Sequence, residues 1–427
     1  MKIIFTPPKQ QISQTLSLIY ANGMTTTSGG NISIKDEDGN IWITPAGIDK
    51  GNLSERDIVC VKPDGSTDGI HAPSSELPFH QAIYEQRPDL RAIIHAHPPA
   101  LVSFSIVRKI PDTHVIPQAK QVCGPVGYAS YKLPGSEELG QSIAHEFGKG
   151  YNALIMENHG TVVGETNLNR AFQCFETLEF CARTIIKAHQ IGTANYLKDE
   201  QIQRYQHHEH LLPEMEDVSH PADEREIRSQ ICAFINRACR QQLMISTYGT
   251  VSVRWRGNDF LITPTDADRR NLEPEDIVQI KNAQREPGKE PSRSVRLHHE
   301  IYKKHPHISS IIITQSPNAT AFCVSGQNFD THTIPESYVL LKDIPLVPYG
   351  SQFKGQKVIP ETLSEETPIV LLENDSILVT GKSLLETFDR LEVAEFSARS
   401  LINSVPIGDM VPIDDDEIEQ LRRKFLS

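Results

Sequence analysis

The chain has 427 residues, more than one hydrophobic core normally organises, so two or three domains are expected. Its 38% hydrophobic and 23% charged residues are those of a soluble globular protein, and a formal net charge of -13 argues against a nucleic-acid partner while leaving room for a small anion at a locally positive site. The seven cysteines are scattered without a CxxC pair, as in a reduced cytoplasmic protein; no window has the apolar length of a membrane span, and "MKIIFTPPKQQ" is too short an apolar run for a signal peptide.

Residues 9–21 predict an N-terminal helix. "TTTSGGNIS" then gathers small residues and backbone N–H groups into a turn of the kind that nests an anion. "NISIK" and "IWITP" are β-rich runs that pair as a hairpin across "DEDGN", and "TPAG" with the Ser74 and Ser75 hydroxyls would complete an anion cradle. Residues 74–87 predict a helix capped by Ser74 and Ser75, with Glu76 in its first turn and His80 four residues on, sharing its face. Glu76 has two readings: a charge that complements the helix N-terminus, or a carboxylate beside a metal that removes a substrate proton.

"LRAIIHAH" predicts a buried strand. Residues two apart on a strand face one way, so His95 and His97 point together, as two ligands of a divalent ion such as zinc must. A pair of hydrogen-bonded histidines at a strand end is the alternative. A third imidazole, His159, follows the strand "ALIM" and precedes Gly160, at a strand end or turn. Three protein ligands with one open position is a common arrangement of catalytic zinc. Residues 168–189 predict a long helix with Leu168, Ala171, Phe172, Phe175, Leu178, Ala182, Ile185 and Ile186 on one face. Helices mixed with short strands predict an α/β layered domain of about 200 residues.

Residues 201–222 predict a linker, polar and punctuated by Pro213 and Pro221. His207, His208 and His210 cluster there, and a solvated linker or helix end is preferred over a metal site as their explanation. Domains are therefore expected at 1–200 and 223–427, because the chain repeats itself at a spacing of about 218 residues. "IWITPAG" recurs as "FLITPTD", "LSERDIVCVK" as "LEPEDIVQIK", "AIYEQRPDLRAII" as "EIYKKHPHISSII", and "EFCARTII" as "EFSARSLI". Aligned without a gap, His95 and His97 fall on Ile313 and Gln315; shifting by one gives Thr314 and Ser316. His159 falls on Asp375, Glu76 on Ser294 and Asn31 on Thr250, while Tyr131 keeps a counterpart in Tyr349. The apolar pattern stays and the imidazoles go, so the fold does not require the histidines of the first half.

"SGGNIS", "ITPAG", "PSSE", "HAHP" and "NHG", in this order, resemble the class II aldolase/adducin family over residues 10–195 and, more weakly, over the second repeat. The resemblance implies two tandem α/β/α domains, each with a central, largely antiparallel sheet flanked by helices, the second degenerate. It implies that His95, His97 and His159 are zinc ligands and that Glu76 can ligate zinc and acts as acid/base. Gly30, Asn31, Ala46, Gly47, Ser74 and Ser75 match positions that contact substrate phosphate, although some members carry a hydroxyl residue where Ala46 stands. Tyr131 matches a tyrosine supplied across a subunit boundary to protonate an aldehyde oxygen.

The function this implies is a zinc-dependent aldolase, with one ion per chain (zinc or another divalent metal). It would cleave or form a C–C bond of a ketose phosphate, fuculose-1-phosphate-like, through an enediolate. Epimerases, decarboxylases and dehydratases of sugar phosphates use the same site, and the adducin branch is a scaffold without it. Members often form rings of four. A dimer of this chain would therefore make a four-domain pseudo-tetramer, in which Tyr349 serves the live site if live and dead repeats alternate and Tyr131 serves it if live repeats meet. Neither nucleic acid nor membrane is an expected partner.

Overall fold

The computed structural model describes residues 6–206, 212–353 and 355–426; His207, His208 and His210 lie outside the described residues. The chain divides into two compact units, one running to Thr113 and from Gln118 to Arg183, the other comprising His114–Pro117 and Thr184 onward. The division falls inside a helix, upstream of the expected linker. Part of that linker is packed: Leu212 and Met215 are buried, and the Met215 amide donates to the Arg285 carbonyl at 2.9 Å. Burying these two apolar side chains is what packs part of an otherwise polar stretch.

In the first unit α1 (Pro8–Ala21) begins on a proline, where the missing N–H costs nothing, and buries Ile12, Leu16 and Ile19 at helical spacing. The strands are β1 (Asn31–Lys35), β2 (Ile41–Ile43), β3 (Val59–Val61), β4 (Thr67–Asp68), β5 (Ala92–Ala96), β6 (Val126–Ala129), β7 (Ala153–Met156) and β8 (Gly160–Glu165). They form one sheet in the order β4-β3-β2-β1-β5-β8-β7-β6, antiparallel except for β6 beside β7. The expected hairpin is β1–β2, with Ser33 opposite Ile43. The other helices are α2 (Leu77–Gln86), α3 (Pro99–Ile106), α4 (Pro117–Cys123), α5 (Glu137–Gly148) and α6 (Leu168–Ile191), which runs on into the second unit. α2 and α5 pack together over one face, where Phe79, Ile83, Leu139, Ile143 and Phe147 meet Ile43, Val59, Ile93 and Leu154 of the sheet.

The second unit repeats the plan. Its strands are β9 (Thr250–Arg256), β10 (Asp259–Ile262), β11 (Val278–Lys281), β12 (Gln284–Arg285), β13 (Ser310–Thr314), β14 (Leu346–Val347), β15 (Ile369–Leu372) and β16 (Ile377–Gly381), ordered β12-β11-β10-β9-β13-β16-β15-β14. Its helices are α7 (Asp199–Gln206), α8 (Ala222–Arg240), α9 (Val295–Lys304), α10 (Ala319–Ser325), α11 (Pro335–Leu341), α12 (Val358–Thr362), α13 (Leu384–Ser404) and α14 (Asp415–Phe425). Ile312 joins one core with α8 and α13, while its neighbour Ile311 joins another with α9, so helices cover both faces.

Strand register resolves the alignment between the halves. Asn31 pairs with His95 across β1 and β5, and Thr250 pairs with Ile313 across β9 and β13. His95 therefore corresponds to Ile313 and His97 to Gln315, as in the ungapped alignment.

Another feature is common to both units. The Glu179 carboxylate accepts from the Ala100 and Leu101 amides at 3.2 and 3.0 Å, and Glu395 accepts from the Asn318 and Ala319 amides at 2.9–3.0 Å. Each buried carboxylate thus holds the chain at the start of the helix that follows the central strand. Burial pushes the Glu179 carboxyl up to about 7 against these hydrogen bonds, which favour the charged form. A carboxyl raised in the folded state adds stability in full below its unfolded value near 4.5 and loses it as pH rises through about 7. We expect wild type to lose on the order of 2 kcal/mol more than Glu179→Gln between pH 5 and pH 8 in denaturant titrations.

Candidate metal centre

β5 is the central strand on which the site is built. It lies between β1 and β8, with His95 opposite Asn31 on one side and Val162 on the other. His97 stands one residue beyond the strand end, and His159 sits in the turn from β7 to β8. That turn needs a left-handed residue, and Asn158 supplies it at φ 52°. Gly160, next along, has no side chain because a Cβ there would lie 2.6 Å from the Ala96 carbonyl oxygen and 2.7 Å from the His97 ring.

The three imidazoles converge. One ligand nitrogen from each of His95, His97 and His159 falls within 4.8 Å of the others, and His97 Nε2 is 3.1 Å from His95 Nε2. His95 Nδ1 lies 2.9 Å from the Thr161 carbonyl, which only accepts, so Nδ1 carries the proton and Nε2 presents its lone pair to the centre. Burial, and then His97, pushes His95 down to about 3; burial and His95 push His159 down to about 4; burial lowers His97. All three are neutral at pH 7, the form that binds a metal.

Glu76 joins them. Its Oε2 is 3.3 Å from His95 Nε2 and its Oε1 is 3.6 Å from His159 Nε2. Oε2 also accepts from Asn31 Nδ2 at 2.7 Å, whereas buried Oε1 has no donor among the described residues. Converging neutral nitrogens beside a carboxylate oxygen without a donor fit a divalent cation. Among the described residues, no other group of three or more histidines, cysteines or carboxylates has metal-binding geometry.

One local expectation is corrected. Glu76 is not inside the first turn of α2 but at its N-cap, with φ -96° and ψ 8°, and neither Ser74 nor Ser75 caps the helix. Pro78 sets the start of α2, and Ser74 Oγ instead accepts from the Glu76 amide at 3.3 Å. This half-in position lets the carboxylate turn to the histidines.

The remaining expected residues are placed as follows. Gly30, at φ 77°, precedes Asn31 and lies against the His95 carbonyl. The Ala46 amide donates to the Ala72 carbonyl and the Ser74 amide to the Thr44 carbonyl, joining the two segments of the expected cradle. Gly47 follows in a left-handed turn at φ 66°. Tyr131 is 54% exposed, and its amide donates to Glu157 Oε2 at 3.1 Å. Tyr349 belongs to the second unit, where its hydroxyl donates to the Gln201 carbonyl at 3.0 Å.

Sequence reasoning missed the Asn31–Glu76 bond, having given Asn31 to phosphate. It also missed a buried chain behind it, in which His80 bridges Asn31 and Ser33 and Ser33 meets Tyr84. The available signal was the i, i+4 spacing of Glu76, His80 and Tyr84 opposite the alternating Asn31 and Ser33.

The model for the class II aldolase and adducin N-terminal domain matches residues 10–186 and again 229–402. A 5-deoxy-D-ribulose 1-phosphate aldolase of Bacillus thuringiensis is 32% identical over 189 residues, 43% of this chain and 87% of that protein. An L-fuculose phosphate aldolase of Escherichia coli is 32% identical over 45% of this chain and 89% of its own length. A 3-oxo-tetronate 4-phosphate decarboxylase of Escherichia coli is 30% identical over 42% and 85%. No helix of the described residues is long and apolar enough to cross a membrane.

The geometry predicts one divalent ion per chain. His97→Ala should remove it by elemental analysis without unfolding the protein by circular dichroism, because His97 stands outside the strand ladder.

Proposed function

The chain belongs to the class II aldolase and adducin family, and from that premise we propose that its first unit is a zinc-dependent aldolase acting on a ketose phosphate. The observation that carries this reading is a buried carboxylate oxygen, Glu76 Oε1, without a donor beside three converging neutral imidazoles. A zinc ion held by His95, His97 and His159, one per chain, supplies Lewis-acid polarisation of the substrate ketone.

Glu76 takes the proton from the carbon next to that ketone, and Asn31 fixes the carboxylate by holding Oε2 and leaving Oε1 open to substrate. The phosphate is carried over from the names of the relatives, and Gly30, Asn31, Ala46, Gly47, Ser74 and Ser75 are proposed to line its place. With Asn31 Nδ2 given to Glu76 and the Ala46 and Ser74 amides already paired, the Ser75 hydroxyl and the Gly47 turn are the better-suited donors.

Protonation of the aldehyde oxygen is assigned to Tyr131, supplied from a neighbouring copy in a dimer of this chain. Its ring is exposed, whereas the Tyr349 hydroxyl is spent on Gln201 and burial raises its pKa. This reverses the preference that an alternating ring of live and dead repeats would give.

Decarboxylation of an oxo-acid phosphate is the second reading, favoured by the decarboxylase relative. The two differ in what they ask of Glu76: loss of carbon dioxide leaves the carbanion without removal of a C–H proton, whereas the aldol route needs a base. Glu76→Gln should therefore keep its metal while losing about 100- to 10,000-fold in solvent deuterium exchange into dihydroxyacetone phosphate. Undiminished exchange sinks Glu76 as the base. Carbon dioxide release that survives Glu76→Gln, with no retro-aldol activity in wild type on ketose 1-phosphates, decides for the decarboxylase. Tyr131→Phe should slow retro-aldol turnover at unchanged metal content while Tyr349→Phe does not; the opposite pattern returns the acid to Tyr349.

A further inference from the structure

We infer that His80 is a positioning residue for the metal centre: it fixes the orientation of the Asn31 amide, and through it the Glu76 carboxylate. The inference rests on Glu76 being the base.

His80 is fully buried on α2, one turn beyond Glu76. Its Nε2 is 2.5 Å from Asn31 Oδ1 and its Nδ1 is 2.7 Å from Ser33 Oγ. Asn31 Nδ2 must donate to Glu76 Oε2, since a carboxylate only accepts, so Asn31 presents its oxygen to His80. That oxygen accepts, so His80 Nε2 carries the proton. Burial keeps the ring neutral, which makes Nδ1 an acceptor and Ser33 its donor. Tyr84 then donates to Ser33 at 2.9 Å, a better contact than its 3.5 Å approach to the Arg91 carbonyl.

Every bond in this chain points the same way: Tyr84 to Ser33, Ser33 to His80, His80 to Asn31, and Asn31 to Glu76. Aligned hydrogen bonds polarise one another, and here the aligned donors end on one oxygen of the base. Were the Asn31 amide turned over, its oxygen would face the carboxylate and its NH2 would face an N–H donor. His80 makes that orientation unfavourable at both ends.

The second unit separates this role from a purely structural one. Ser252 Oγ meets His298 Nδ1 and the Tyr302 hydroxyl, both at 2.7 Å, so the bridge between helix and sheet persists. There Thr250 replaces Asn31 and Ser294 replaces Glu76, and buried His298 Nε2 has no partner among the described residues. The Tyr–Ser–His part serves the fold. The His–Asn–Glu extension exists where the metal residues exist.

His80→Asn tests this, because its side-chain oxygen can take the place of Nδ1 and keep the Ser33 contact while nothing reaches Asn31. His80→Gln is the rescue, since its amide can accept from Ser33 and donate to Asn31. In the full-length, zinc-loaded protein, His80→Asn should lower kcat for deuterium exchange into dihydroxyacetone phosphate by about 10- to 100-fold, with KM and metal content unchanged, as loss of a partner behind a metal site does. His80→Gln should return most of it, and in an Asn31→Ala background His80→Asn should cost nothing further. Independently of activity, nitrogen-15 spectra of the metal-free protein should show His80 protonated at Nε2 and bare at Nδ1. His298→Asn is the fold control and should leave exchange alone.

Full exchange by a folded, metal-loaded His80→Asn protein overturns the inference. So do losses that add to those of Asn31→Ala, or a ring protonated at Nδ1. If Glu76→Gln exchanges normally, the base assignment fails first; if Glu76→Gln is inactive and His80→Asn is not, this inference alone fails.

Discussion

Three imidazoles and a carboxylate are held together by the pairing of β5 between β1 and β8. The ladder fixes His95 opposite Asn31, and the Thr161 carbonyl on β8 fixes the His95 tautomer. The turn that starts β8 carries His159. Because the ring is wholly buried it stays neutral, with its one proton on Nδ1 and the Nε2 lone pair directed inward. Displacing β8 would disturb His159 and the Thr161 carbonyl that orients His95, and displacing β1 would disturb the Asn31 amide that holds Glu76.

Two copies of one fold make it possible to see which residues answer to the ladder and which to the site. Glu179 and Glu395 both seize the amides at the start of the helix after the central strand, although only the first unit has the histidines. Their burial is therefore explained by packing, and a raised carboxyl on its own would have been a misleading pointer to catalysis. The turn before β8 is similar. "ENHG" and "ENDS" both keep the asparagine, at φ 52° and 50°, because the hairpin needs a left-handed residue; the histidine and glycine change together because the glycine makes room for the His97 ring.

Much of this was legible in the sequence. The hairpin, the central strand, the long last helix and the duplication follow from periodicity and repetition, which depend on burial and so leave a strong trace. His95, His97 and His159 were legible because the repeat without them served as a control. What stayed hidden depended on side-chain direction. Asn31 could be placed near the site but not turned toward Glu76, and the Tyr84–Ser33–His80 chain required knowing that α2 lies across β1. Glu76 at a cap instead of within a turn was hidden for a similar reason: Ser74 and Ser75 look like caps, but Pro78 fixes where the helix begins. The packing of part of the linker was hidden because proline and charge mark exposure, whereas Leu212 and Met215 in that stretch are buried.

The same comparison sorts the residues expected to hold a phosphate. The left-handed turn at Gly47 is kept in the second unit by Asp266, at φ 50°. Aspartate tolerates that conformation, so the fold does not require glycine there. A Cβ at Gly47 would meet nothing within 4 Å, so packing does not require it either. What glycine leaves in the first unit is open space beside uncovered backbone, and what Asp266 puts in the second is a carboxylate that would repel an anion. Gly30 is different, since a Cβ there would lie 2.8 Å from the His95 carbonyl and Gly249 keeps both the residue and the positive φ in the second unit. Of the two, Gly47 is the one whose identity follows the site rather than the fold. The proposed anion cradle of the first unit would therefore depend on the same turn that, in the second, carries the Asp266 carboxylate.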